Sequence, residues 1–351
     1  VSPPTIRWHR PLLVLAAAMA VVAIGSLIGV VADPRTLTGA PLWAKPLKFA
    51  ISVSIYAVTL AWLIGLLPGA DTRRRRLAWW AGTVAAVFLA VEMAIIVGAA
   101  AAGLTSHFNV TDGFHTALWG VMAFSIVVVW LAAVPVAVLL LRTDLGDPAR
   151  SLAIRAGLLI ALVGMALAFL MTGPTAAQLD DYQGIVGAHT VGVADGSPGL
   201  PLLGWSTVAG DLRIPHFVGM HALQVLPFVA LLLEVLATRM PALSAPLARL
   251  GLLRVLTGLY LGVLALVTGQ ALAGESIVRP SALVIVTAAV LFFAATVSIV
   301  ATLYRNRPLG HREPVDPGAG GVLRGGGGAE QQPHQAEHRP GGPDDRQRGT
   351  S

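Results

Sequence analysis

The chain has no cysteine, which removes disulfides, thiolate nucleophiles, cysteine-held zinc and iron–sulfur clusters at once. Any metal or haem would need His, Met or carboxylate ligands. Charge is scarce as well. Asp, Glu, Lys and Arg make up 12% of the residues, against about 25% in a soluble globular chain. Lysine is nearly missing, with only Lys45 and Lys48 among 24 basic residues. No Walker loop, strand-borne dinucleotide fingerprint, zinc-protease pair of histidines or nucleophile elbow is present, which disfavours an enzyme of familiar type.

What is present is apolar. Hydrophobic residues reach 55% and the mean hydropathy is +0.74, so the lipid bilayer is the expected solvent. A formal charge of +6 does not indicate nucleic acid, because the arginines are spread over short loops and a tail without a continuous basic face. The expected fold class is all-α: an integral membrane helical bundle of eight transmembrane helices. A spanning helix needs about 20 apolar residues, and such stretches occur near 12–32, 47–67, 77–103, 114–141, 152–172, 217–237, 252–273 and 282–304. The first is longer than the apolar region of a signal peptide and is expected to be an uncleaved span.

Basic residues alternate between the gaps. Arg7 and Arg10, Arg73 to Arg76, then Arg142, Arg150 and Arg155, then Arg239, Arg249 and Arg254 fall on one side. The other side holds Arg35, Lys45, Lys48, Arg213 and Arg279. The positive-inside rule then predicts both termini in the cytoplasm, N-in and C-in, and a multi-pass protein of a bacterial inner membrane. Two domains are expected: an eight-span region 1–304 with a long extracytoplasmic loop 173–214, and a disordered cytoplasmic tail 305–351 rich in Gly, Pro, Gln, Arg and His. A weak likeness between 99–103 and 270–274, at the ends of spans three and seven, would make any repeat parallel, two bundles of four.

Orientation gathers the polar residues on one face. Glu92 lies in the outer half of span three, where an ionisable group is costly and normally has a partner or a cavity. It is expected either to carry a proton or pair with a cation such as Lys48, or to make a buried helix–helix hydrogen bond. Glu234, near the inner end of span six, reads as structural. His107, Asn109 and His115 surround the turn between spans three and four. Asp211, Arg213, His216, His221 and Gln224 lead into span six. These nine residues apart from Glu234 form the candidate ligand-binding set, covered by the long loop. His216 and His221 are about 140° apart on a helix, too far for one-helix chelation. A b-type haem would instead take His115 and His221 from two helices. Asp211, His216 and His221 are the only acid/base group an interfacial membrane enzyme could use. Pro135 and Pro227 interrupt spans four and six, and Gly25, Gly29, Gly157 and Gly164 read as packing surfaces.

The segments Ser106-His107-Phe108-Asn109, 187–192 and 210–224 resemble a group of uncharacterised multi-pass bacterial inner-membrane proteins, actinobacterial ones among them. The resemblance covers most of the membrane region and not the tail. It implies the class and a polar outward face, and carries no activity. The leading expectation is therefore a protein that binds or translocates a small polar ligand or a proton. The alternatives are a haem or metal protein, a structural or accessory subunit, and an interfacial enzyme. The lipid bilayer is the one partner the sequence implies.

Overall fold

The computed structural model of the chain describes residues 7–68 and 72–306. The predicted tail, with His311, His334 and His338, lies outside the described residues apart from its first two positions. The elements in order are α1 (Arg10–Ala32), β1 (Thr36–Leu37), β2 (Ala40–Pro41), α2 (Ala44–Gly65), α3 (Thr72–Ala101), α4 (Gly113–Leu141) and α5 (Pro148–Ala166). A 3₁₀ turn (Leu167–Met171) and a short α6 (Ala176–Asp180) follow, then β3 (Thr190–Val191), β4 (Gly210–Asp211), α7 (Arg213–Ala237), α8 (Pro241–Ser244), α9 (Pro246–Leu272) and α10 (Ala282–Arg305). Among the described residues eight helices are long and apolar enough to cross a membrane. The fold is that of a multi-pass helical membrane bundle.

Local chemistry sets the helix ends. Asp112 caps α4 by accepting from the His115 amide, Asp147 caps α5 ahead of Pro148, and Ser281 caps α10, each satisfying amides the helix leaves orphaned. The fifth span ends as a 3₁₀ turn. The sixth starts four residues before the expected 217, because Arg213 and His216 hide its first turn from a hydropathy window. Both α4 and α7 continue through their internal prolines, Pro135 and Pro227.

The bundle has two halves built alike. In the first, α1 packs on α2, α2 on α3, α3 on α4, and α1 on α3. In the second the same pattern joins α5 to α7, α7 to α9, α9 to α10, and α5 to α9. Each half has one spanning helix, a two-stranded antiparallel ladder and three more spanning helices, the second half adding a 3₁₀ turn and α6 before its ladder and α8 between α7 and α9: β1–β2 precedes α2, and β3–β4 precedes α7. The helix α4 packs on α5 and joins the halves. Thus α2 and α7 hold matching places in the packing order of the two halves.

The glycine expectations divide. A Cβ on Gly164 would stand 2.2 Å from the Gly219 carbonyl carbon, and one on Gly157 would stand 2.8 Å from the Ala222 oxygen. These two glycines let α5 and α7 meet backbone to backbone. Gly29 takes the Trp43 ring against its Cα, whereas Gly25 meets nothing within 4 Å. At the arginine-rich end, Arg150 pairs with Glu234 at 2.5 Å and Arg249 with Asp147 at 2.9 Å. Glu234 thus joins α7 to α5.

Candidate functional site

The opposite end, here called the loop end, carries a layer of ordered chain. The segment 173–214, expected as a long loop, contains α6 and the β3–β4 ladder and is stitched to its surroundings. Val110 N–H donates to the Gly184 carbonyl, Val186 N–H to the Phe108 carbonyl, and Leu212 N–H to the His189 carbonyl. Asn109 bridges Ile185, and its side chain accepts from Thr111 N and Oγ1. Asn109 shapes the turn.

Under this layer the first turn of α2, the 102–112 turn and the outer half of α3 converge. The Lys45 ammonium donates to His107 Nδ1 at 2.9 Å, with the Ser106 hydroxyl 3.0 Å from the same nitrogen. The other ring nitrogen, Nε2, stands 3.8 Å from Glu92 Oε1. The order Lys45, His107, Glu92 is therefore a chain in which one imidazole bridges a cation and a carboxylate. Glu92 is 5% exposed, and its second oxygen, Oε2, is buried without a hydrogen-bond partner among the described residues. Phe49, Phe108 and Trp119 pack rings around His107 at 5.2–6.0 Å centroid distances from it or from one another.

Burial, followed by the charge of Lys45 and then of His189, holds the His107 imidazole well below its usual value of 6.5. It is neutral near pH 7. With Lys45 donating to Nδ1, the ring proton sits on Nε2 and faces Glu92. A proton shuttle needs this arrangement: a donor on one ring nitrogen and an acceptor beyond the other.

A second dyad lies alongside. His189 Nδ1 donates to Asp195 Oδ2 at 2.5 Å, and Asp195 Oδ1 also accepts from His189 N, Thr190 N and Thr190 Oγ1. Burial raises the Asp195 carboxyl, but the bonds from His189 and Thr190 outweigh it and hold the group well below the usual carboxylate range. The His189 ring rests 4.8 Å from Phe108.

The remaining expected residues separate. Asp211, 1% exposed, accepts from Ser206 N, Arg213 N, Arg213 Nε and Arg213 Nη2, and Arg213 Nη2 also donates to the Gly204 carbonyl. Asp211 and Arg213 form a clamp that holds the loop on the start of α7. His216 Nδ1 donates to the Gly164 carbonyl at 2.8 Å. Its ring belongs to the α5–α7 contact. His221 donates to the Phe217 carbonyl of its own helix and stacks on that ring at 4.0 Å. The three residues of the expected acid/base group thus take three different sets of partners.

His115 donates Nδ1 to its own cap, Asp112, at 2.7 Å, and its Nε2 is buried without a partner. His115 and His221, the expected haem pair, stand on helices that share α5 as a neighbour without packing closely on each other: α4 packs on α3 and α5, α7 on α5, α8 and α9. Among the described residues no three His, Asp or Glu side chains gather closely enough to hold a metal. Gln224 donates to Thr59 Oγ1 at 3.3 Å, across to α2, and its Oε1 is buried and unpartnered.

Lys48, the cation suggested for Glu92, instead donates to the Leu203 carbonyl at 3.0 Å. Lys45 takes that place through His107. The sequence held a signal for it: the chain's two lysines lie three residues apart in the first turns of α2, where cations oppose the helix dipole. Set against family profiles, curated proteins and solved structures, the chain returns no match.

Proposed function

We propose that this chain is a multi-pass protein of a bacterial inner membrane, with both termini cytoplasmic and the loop end outside. There it binds or moves a small polar ligand or a proton, and Lys45, His107 and Glu92 form the relay. The positive-inside distribution of arginine supports the orientation. The observation that carries the activity is His107 bridging Lys45 and Glu92 while Glu92 keeps one buried oxygen unpartnered. A carboxylate in that setting gains or loses a proton at small structural cost, and the neutral imidazole beside it supplies a path to the loop end.

The test is proton movement into proteoliposomes carrying a pH-sensitive dye under an imposed gradient. Wild-type protein is expected to pass protons, and Glu92→Gln, which keeps the shape of the side chain, is expected to abolish the flux while still folding and inserting. Equal flux in the two proteins overturns the reading.

A further inference from the structure

Five polar residues of α2 lie in one line, while Ser54, outside it, donates to the Ala16 carbonyl of α1. Lys45, Lys48, Ser52, Tyr56 and Thr59 follow at spacings of three, four, four and three. At about 100° per residue these positions stay within roughly 80° of arc and run about 21 Å along the helix. The line begins at the loop end and passes the middle of the span. At its far end Thr59 takes the Gln224 amide from α7. On α7, Arg213 and Gln224 are eleven residues apart, as are Lys45 and Tyr56 on α2, and so share a face to within about 20°.

Unlike α5 and α7, α2 and α7 lack close backbone packing; the Gln224–Thr59 bond is their link in the span. Two polar atoms on these helices are buried without partners among the described residues: the Tyr56 hydroxyl, on a side chain 7% exposed, and Gln224 Oε1. Orphaned polar atoms within a bilayer each cost several kcal/mol unless solvated. At the mouth stand Lys48, bonded to the Leu203 carbonyl, and Arg213, paired with Asp211. A Cβ on Gly204, whose φ is +67°, would have only Lys48 Nζ at 3.7 Å and Arg213 Nη1 at 3.9 Å around it. Parallel-repeat membrane proteins commonly place their sites at the seam between halves, and this seam lies between α2 and α7, which hold matching places in the two halves.

We infer that α2 and α7 enclose a hydrated crevice, entered at the loop end between Lys48 and Arg213, that admits a small hydrophilic anion as far as Tyr56 and Gln224. It deepens the reading above by naming the ligand class, and it does not depend on which face of the membrane is outside.

The absence of cysteine makes the test clean. Ser52→Cys and Thr59→Cys, each a small change, are placed singly in full-length protein in lipid nanodiscs, where both membrane faces are open to reagent. Ile51→Cys and Val58→Cys, on the exposed apolar side of α2, serve as lipid-facing controls. A thiol reacts as the hydrated thiolate. Both test positions are expected to react with methanethiosulfonate ethylsulfonate while the controls stay inert. With each rate divided by that of the same reagent with a free small thiol, the anionic reagent is expected to outpace its trimethylammonium counterpart by about tenfold, from the field at the mouth, and Lys48→Gln is expected to reduce that ratio. Test positions as inert as the controls overturn the crevice. A cationic reagent whose normalised rate is as high overturns the anion preference, and a ratio unchanged by Lys48→Gln overturns the assigned mouth. Labelling is read without proton flux, so an inert Thr59→Cys beside a Glu92-dependent flux removes the crevice and leaves the relay standing.

Discussion

The two sides of α7 differ in kind. Toward α5, Gly164 and Gly219 bring two backbones into contact, and the polar group at that surface, His216, is satisfied by the Gly164 carbonyl. Toward α2, the helices stand apart, bridged by one amide–hydroxyl bond, with polar atoms on both sides lacking partners. The first contact is closed and fixes where α7 sits. The second lacks close backbone packing and leaves hydrogen-bonding capacity unspent. In a membrane, where apolar surface gives no preference for helix over lipid, polar groups at a helix contact need a partner from the facing helix, from water or from a ligand.

Substitutions can break this contrast in graded steps. Asp211→Ala is expected to have the largest effect, about 3 kcal/mol of lost stability, since it leaves Arg213 without its buried partner and the Ser206 amide unsatisfied. Thermal unfolding in detergent measures it, and an unchanged midpoint would show that the loop clamp is not an anchor of α7. Gly164→Ala comes next, at about 1–3 kcal/mol, because its Cβ must displace the α7 backbone. If it is neutral in the same assay, the closed seam is looser than its geometry implies.

Tyr56→Phe distinguishes a wet seam from a dry one by sign. In a hydrated crevice the hydroxyl is solvated, and its removal costs about 1 kcal/mol or less. In a dry seam its removal relieves an unsatisfied group and raises stability by about 1–3 kcal/mol. The expected result is the small loss.

The smallest effect is one of pH. His107 in the folded protein titrates well below its usual value of 6.5. Between its folded and unfolded values only the unfolded chain takes up the proton, so stability falls as pH drops below about 6.5 and is flat above it. Amide protection factors in the 102–112 turn, corrected for the pH dependence of intrinsic exchange, are expected to be lower near pH 5 than at pH 7.5. Equal protection factors would mean that His107 is not held neutral by its site.

The eight spans were legible because each is a long apolar run, and hydrophobic length is a local property. The clustering of polar residues at one end followed from the same reading, since fixing the direction of one helix fixes all the others. Membership of the site was less legible. The sequence points to Glu92 and His107 but favours Lys48 over Lys45, because which lysine reaches the imidazole depends on how the 102–112 turn folds back over α2. Asp211, Arg213, His216 and Asn109 resembled site residues by type. The structure commits them to the loop clamp, the α5–α7 contact and the turn, since a buried polar side chain takes whichever partner the packing brings to it.

The sequence by itself determined the solvent, the number of spans, the sorting of charge between the two ends and the exclusion of sulfur chemistry, all consequences of composition and of order along one dimension. Tertiary structure alone decided that the halves share one packing order, that Gln224 of α7 reaches Thr59 of α2, and that Lys45, His107 and Glu92 form a chain. Those facts are distances between residues far apart in sequence. Helix packing sets such distances, and no local pattern encodes them.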